Sequence, residues 1–308
     1  MRVTMNIFSG RPNPTWSLPS GKTRELVDRL TATTPVLTPD EPPALGFRGF
    51  TLNADLEDFV RTPNAPAHVV LPSPEVLEPA PTKARIVAGA PAAASKERDA
   101  AQDVSQWLLS TAPGPIAQEI QEAAENAQQS GAAAFAARAG AKAEKPAVAA
   151  AKEPVEPALA TATCEPFLTP IADLFWNTPL TRFRNNCYNY ASNFASNTMA
   201  QPGRHSGRMY TAFECGNVSR AANFDGYVAD CDGSVRVVAL AIWPGFDFHW
   251  WRLHPGGFWA HKIGTSMVMR CDNQGRILGN GLTPANCDRG PYTVFCGFFF
   301  GPLGIHVL

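Results

Sequence analysis

Cys187, His249 and His261 are the residues whose types and order could support covalent catalysis. Cys187 follows the polar pair Asn185-Asn186, and a polar residue before a run without Gly or Pro is typical of a helix N-terminus. The positive end of the helix dipole favours a thiolate over a thiol at that position. We therefore interpret Cys187 as a candidate nucleophile. The alternative, that it packs in the core or forms a disulfide, stays open.

His249 is the best candidate for the base that a nucleophilic thiol needs. It lies in a predicted strand over residues 246–253, and side chains alternate faces along a strand. Asp247 and Trp251 therefore share a face with His249. If that face meets the Cys187 helix, His249 could accept the thiol proton and later protonate a leaving group.

A third group usually orients the base of a catalytic pair. We expect His261, on the neighbouring strand, to have that role, with Asp247 as the second candidate and Asp272 as the third. Backbone N–H groups at the start of the Cys187 helix could form an oxyanion hole. Such an arrangement would cleave an amide or an ester through a thioester intermediate.

Trp251, Trp259 and Gln201 are the candidate substrate-binding residues, because aromatic side chains beside a cleft can stack on a sugar or a peptide. Structural interpretations are open for the histidines as well. His249 could pack among tryptophans, and His261 could lie at an exposed strand end beside a lysine. His205 and His254 fall in turns, where surface positions are expected.

The elements that must position these residues are one helix and a mostly antiparallel sheet. The helix begins at Cys187 and has an apolar face that continues through Tyr190, Ala191 and Phe194. Strands are predicted over 235–243, 246–253, 258–262, 266–269, 276–278 and 292–300, separated by turns rich in Gly, Pro and Asp. The predicted fold class is α+β. The order of a helix-opening cysteine and a strand-borne histidine is similar to that of papain-like and NlpC-like hydrolases.

The N-terminal part predicts a small α/β module. Its strands are expected over 3–8, 46–52 and 68–71 and its helix over 22–30, and helical stretches follow over 95–110 and 115–129. Between residues 131 and 162 the composition is reduced mainly to Ala, Lys, Glu and Pro, which indicates a linker. The predicted domains are therefore 1–130, 131–162 (the linker) and 163–308.

All seven cysteines lie in the second half of the chain: Cys164, Cys187, Cys215, Cys231, Cys271, Cys287 and Cys296. An odd number allows three disulfides and one free thiol, and we expect Cys187 to be free. No tight Cys/His spacing suggests a zinc site, so we predict no metal and no cofactor. Disulfides imply an oxidising compartment, whereas the first residues lack the apolar core of a Sec signal peptide. The compartment stays open between the cytoplasm and export by another route.

The net charge of -1 gives no electrostatic argument for binding nucleic acid or an anionic membrane. No apolar run approaches the roughly 18–20 residues that a membrane-spanning helix needs. These totals favour a soluble protein without a membrane span. The expected partner is a peptide or glycopeptide substrate, and self-association is a second expectation.

Several short motifs resemble an uncharacterised bacterial family whose C-terminal domain is similar to one in molluscan insoluble matrix shell proteins. They are NCYNYA (186–191), AQPG (200–203), DFHWWR (247–252), WAHK (259–262) and DRGPY (288–292). The opening FSGRPNPTW (8–16) resembles the amino-terminal part of some bacterial members. The resemblance implies a shared domain and transfers no catalytic assignment. Its shell-matrix members favour a structural role.

The leading hypothesis from the residues is a cysteine hydrolase, a peptidase or amidase, that uses Cys187 and His249 on a peptide or cell-wall amide. The alternative is a non-catalytic, disulfide-stabilised binding or matrix domain with an aromatic ligand surface. A third hypothesis is an assembly-forming structural protein that uses the N-terminal module.

Overall fold

The computed structural model describes residues 1–33, 45–54, 58, 68–72, 92–123, 125–126, 173–230 and 236–308. The chain divides into two compact units. The first comprises Met1–Phe8 and Asn13–Glu122, and the second comprises Ser9–Pro12 and Ala123–Leu308. The predicted linker over 131–162 lies outside the described residues.

The first unit contains a four-stranded antiparallel sheet with the strand order β2-β1-β3-β4. Its strands are β1 (Arg2–Asn6), β2 (Thr15–Ser17), β3 (Gly49–Asn53) and β4 (His68–Pro72). Helices span Ser20–Thr33 and Ala92–Ser110, and a further helical stretch covers residues 114–123. The predicted strands and helices of this region are present with bounds that differ by up to three residues, and β2 is an addition to them. Residues 127–129 of the last predicted helix lie outside the described residues.

The second unit contains a five-stranded antiparallel sheet with the strand order β8-β7-β6-β5-β9. Its strands are β5 (Arg236–Trp243), β6 (Asp247–His254), β7 (Phe258–Lys262), β8 (Val268–Met269) and β9 (Val294–Gly301). Every residue of β5 and β6 is buried, because both strands lie inside the sheet and are covered on both faces. With its helices, this sheet confirms the predicted α+β fold class.

Helices in the described part of the second unit span Asp173–Asn177, Pro179–Arg182, Cys187–Ser192 and Cys215–Phe224. The Cys187–Ser192 helix begins where the Asn186 side chain accepts hydrogen bonds from the backbone N–H groups of Tyr188 and Asn189. It ends before the predicted Phe194, because Asn193 adopts the left-handed conformation that closes a helix, with φ of 53°.

The Cys187–Ser192 helix packs against the face of β6 that carries Phe248 and Trp250. The rings of Tyr188 and Trp250 lie 5.3 Å apart between centroids. The opposite face of β6 carries Asp247 and His249, so the helix does not meet the condition under which His249 would accept the thiol proton directly. The apolar face of the helix buries more apolar surface against a phenylalanine and a tryptophan than against a carboxylate and an imidazole.

A disulfide between Cys215 and Cys296 joins the Cys215–Phe224 helix to β9. Cys187 is free, as predicted, and among the described residues Cys271 and Cys287 are free as well. Cys164 and Cys231 lie outside the described residues. No described helix has both the length and the apolar character that a bilayer crossing requires.

Candidate functional site

The candidate site lies in the second unit, where the segment Ser9–Pro12 meets β6 and the residues just before the Cys187–Ser192 helix. The Gly and Pro residues of this segment are typical of a turn, and local sequence alone indicates no functional role for it. Its occurrence in the FSGRPNPTW motif was the signal that could have found it.

A chain of hydrogen bonds joins Ser9 to both candidate histidines. The Ser9 hydroxyl contacts His249 Nδ1, and His249 Nε2 lies 2.7 Å from His261 Nδ1. His261 Nε2 lies 2.9 Å from the backbone carbonyl oxygen of Cys271. The structure therefore brings together His249 and His261, the predicted base and its predicted orienting group.

The Cys271 carbonyl oxygen fixes the direction of these hydrogen bonds, because it can only accept. His261 Nε2 must donate to it, which leaves Nδ1 of the neutral His261 as an acceptor for His249 Nε2–H. Nδ1 of a neutral His249 then accepts from the Ser9 hydroxyl. Burial lowers the pKa of His261 to about 4, which keeps this ring neutral near pH 7.

Asp247 does not orient either histidine in this structure. Its carboxylate accepts from the backbone N–H groups of Ser9, Gly10 and Arg11 at 2.6–3.2 Å, and from the Tyr292 hydroxyl at 2.6 Å. Burial raises the pKa of Asp247, and the hydrogen bonds from Tyr292, Ser9 and Gly10 oppose that shift. The carboxylate thus holds the backbone of the Ser9 segment.

The carbonyl oxygen of Gly10 is held from the other side by two side-chain amides. Asn186 Nδ2 donates to it at 2.5 Å and Gln201 Nε2 at 2.7 Å. Gln201 is held in turn by the Tyr210 hydroxyl, which donates to Gln201 Oε1 at 2.6 Å. Gln201, one of the predicted substrate-binding residues, therefore binds the backbone of Gly10 in its own chain.

The Cys187 thiol is fully buried and lies 3.8 Å from the backbone carbonyl oxygen of Phe248. Burial and the nearby Asp247 raise the pKa of this thiol well above its ordinary value, and interactions with Ser9 and Lys262 oppose the shift only in part. The predicted preference for a thiolate is not found in this structure, because desolvation of the buried thiol disfavours its charged form.

The predicted oxyanion hole is also not available in this state. The backbone N–H groups of Tyr188 and Asn189, in the first turn of the helix, both donate to Asn186 Oδ1 at 3.1 Å. The Asn186 side chain caps the helix through these N–H groups, so they are not free to bind an oxyanion.

Trp251 and Trp259, the other predicted substrate-binding residues, are both buried. The Trp251 ring lies edge-on to His249 with 4.2 Å between centroids, and it stacks on His261 at 5.6 Å. In this structure Trp251 packs against the histidine pair, and its surface is not open to a ligand.

Two predicted exposures are wrong. His254 is buried and lies 2.9 Å from the Tyr190 hydroxyl through its Nε2 atom, because its strand continues one residue beyond the predicted end. His261 does not lie at an exposed strand end, because the neighbouring Lys262 is itself fully buried. The Lys262 ammonium donates to backbone carbonyls, which compensates its burial.

Asp272, the third candidate to orient the base, organises a turn. It accepts from the Arg276 guanidinium at 2.6 Å and from the backbone N–H groups of Gln274 and Arg276. Although burial raises it, the hydrogen bonds from Arg276 and the backbone hold the pKa of Asp272 below its usual range. Within the described ranges, no group of three or more His, Cys, Asp or Glu side chains is placed to bind a metal.

The sheet, the disulfide and the buried Ser9–His249–His261 chain together define a disulfide-containing α+β domain. The chain is 42% identical over 126 residues to insoluble matrix shell protein 1 of Ruditapes philippinarum, a match that covers 40% of this chain and 83% of that protein. The chain therefore belongs to the family of insoluble matrix shell protein 1, which confirms the shell-protein part of the resemblance drawn from its motifs. The resemblance to a bacterial family stays a prediction. No family model and no solved structure matches the chain. Its similarity to NlpC-like hydrolases stays a prediction.

Proposed function

We propose that this protein is a non-catalytic, disulfide-stabilised matrix-type protein whose second unit has a structural role in assembly. The observation that carries the proposal is the position of Ser9. Its hydroxyl contacts His249 Nδ1 and interacts with the Cys187 thiol, and all three side chains are buried. A peptide substrate has no access to a nucleophile in this arrangement.

The family relationship supports the same proposal, since the relative's name describes a protein of an insoluble matrix. The Cys215–Cys296 disulfide also supports it, because disulfides persist in oxidising, extracellular surroundings. The proposal keeps the domain boundaries predicted from composition, with a linker over residues 131–162.

Light scattering over a series of protein concentrations tests the structural role. We expect wild-type protein and Cys187→Ala to form the same concentration-dependent assemblies, because the buried thiol takes no part in a surface contact. Wild-type protein that stays monomeric at every concentration would contradict the role in assembly.

The same two preparations test the absence of catalysis. Incubated with fluorogenic peptides and with peptidoglycan fragments, both should release no product. Turnover by the wild-type protein that Cys187→Ala lacks would overturn the non-catalytic assignment.

A cysteine hydrolase is the second candidate function, and the proton arrangement favours it. The Nδ1 atom of His249 contacts the Ser9 hydroxyl, and Ser9 also interacts with the Cys187 thiol. If Ser9 left this position, His249 could accept the thiol proton, with His261 orienting it. This function requires that the segment be displaced, and Cys187→Ala would then abolish turnover.

A further inference from the structure

The contacts of Ser9–Arg11 differ from ordinary core packing, because side chains of the second unit bind the backbone of this segment. Asp247 accepts from three successive N–H groups, of residues 9, 10 and 11. Asn186 and Gln201 donate to the carbonyl oxygen of Gly10. The Ser9 carbonyl oxygen accepts from the backbone N–H of Gly264 at 3.2 Å. Pairing of backbone groups gives affinity in peptide-binding sites.

The position of Gly10 selects against any side chain. A Cβ atom built on Gly10 would lie within 3.0 Å of ring carbons of Phe248. The Phe248 ring is fully buried, with Tyr210 at 5.5 Å and Phe213 at 6.5 Å between centroids. The ring therefore has little room to move, and only glycine fits at position 10.

The residues on either side of Gly10 add side-chain contacts. Ser9 offers its hydroxyl to His249 Nδ1. The Arg11 guanidinium lies 5.7 Å from the centre of the Phe213 ring. Asp247 partly offsets the burial that lowers the pKa of Arg11, and so helps to balance its charge. Backbone and side chains together specify the sequence Ser-Gly-Arg.

We infer that the second unit carries a peptide-binding groove for a Ser-Gly-Arg peptide, formed by Asn186, Gln201, Asp247, Phe248 and His249. The chain's own Ser9–Arg11 segment is its tethered ligand. This inference goes beyond the proposed function, because it assigns a ligand class to the site whether or not Cys187 is catalytic.

The test uses the full chain with Gly10→Ala, which forces the segment out of the groove, and a fluorescein-labelled peptide of the sequence FSGRPNPTW. Gly21→Ala is the matched control, since a Cβ atom at Gly21 meets nothing within 4 Å. Fluorescence anisotropy should show that Gly10→Ala binds the peptide at least about 10-fold more tightly than wild type or Gly21→Ala, whose grooves are filled. The same peptide with Ala in place of its glycine should not bind.

A second measurement covers a Gly10→Ala protein that does not fold alone. Circular dichroism should then show that the FSGRPNPTW peptide restores the folded signal and that the alanine-containing peptide does not. If a folded Gly10→Ala protein binds neither peptide, or both equally, the inference is overturned. The inference is also overturned if the Gly10→Ala protein is unfolded and neither peptide restores its folded signal. These outcomes are independent of assembly, so they are distinguishable from a failure of the proposed function.

Discussion

The backbone carbonyl oxygen of Cys271 determines which ring nitrogen atoms of His261 and His249 donate in the hydrogen bonds between them. Because it only accepts, His261 must donate to it, and His249 must then donate to His261. Burial keeps the His261 ring neutral, so its Nδ1 atom remains the acceptor for His249 Nε2–H.

We predict that the burial of His261 makes the second unit less stable in weak acid. The pKa of His261 is lowered to about 4 in the folded protein and is about 6.5 in an unfolded chain. Between these values the unfolded state binds a proton that the folded state excludes, so the free energy of unfolding decreases as the pH falls from 6.5 to 4. The total loss is roughly 3 kcal/mol, since a tenfold difference in proton affinity corresponds to about 1.4 kcal/mol.

Urea denaturation between pH 4 and pH 7 measures this dependence. His261→Gln should weaken it, because glutamine has no titrating group, whereas a surface change such as His205→Gln should leave it unaltered. An equal pH slope in wild type and His261→Gln would show that His261 is not its source.

Cys187 provides a second prediction at the residue scale. Burial raises the pKa of its thiol, so iodoacetamide should modify it slowly near pH 7 in the folded wild-type protein. Gly10→Ala, which displaces Ser9, should increase the rate at least about 10-fold, and Gly21→Ala should not. Mass spectrometry of the modified peptides gives the rate, with the half-buried Cys271 as an internal reference. Rapid modification of Cys187 in the wild type would contradict the closed arrangement.

At the scale of elements, Lys262 binds the backbone of the residues that precede the Cys187–Ser192 helix. Its ammonium group, on β7, donates to the carbonyl oxygens of Arg182, Asn185 and Gly264. The Lys262 ammonium thus ties the backbone that precedes the helix to the turn that follows β7. The residue that the sequence suggested to be exposed is an internal support.

We predict that Lys262→Met destabilises the second unit by roughly 2–5 kcal/mol, because it leaves buried carbonyl groups without their donor. Lys22→Met is the matched control. Lys22 is half exposed and pairs with Glu25, and exposed ion pairs contribute at most about 1 kcal/mol. Chemical denaturation of both variants measures the difference, and equal losses would count against the role of Lys262.

Most strands of the second unit were predictable from local sequence, since apolar runs such as residues 236–243 are bounded by Pro, Gly and Asp. The strand predicted over 276–278 is wrong, because Ile277 forms only an isolated bridge with Cys271. The Cys215–Phe224 helix was not, because few of its residues are strongly apolar and only Val218, Ala221 and Ala222 are buried. Cys187, His249 and His261 were identified as candidates from residue type and order. Ser9 was not, because its role depends on a tertiary contact that no local pattern encodes.

At the scale of the whole molecule, the Cys215–Cys296 disulfide closes a large part of the second unit. The two cysteines are 81 residues apart, and the loop between them contains β5 to β8. Restricting the unfolded chain over a loop of this length is expected to stabilise the folded state by roughly 2–5 kcal/mol.

We therefore predict that the double variant Cys215→Ala, Cys296→Ala has a lower midpoint of thermal unfolding than the oxidised wild type, and that reductant lowers this midpoint less than it lowers that of the wild type. Cys287→Ala, which removes a free thiol, should retain the sensitivity of the wild type to reductant. A double variant as stable as the oxidised wild type would refute the stabilising role of this bond.

The pairing of Ser9 with His249 also sets an order of events during synthesis. The two residues are 240 positions apart, and a ribosome adds roughly 5–20 residues per second. Ser9 therefore leaves the ribosome about 10–50 s before its partner exists. Throughout that interval Ser9–Pro12 has no groove to enter, and slower translation would prolong its exposure to chaperones and proteases.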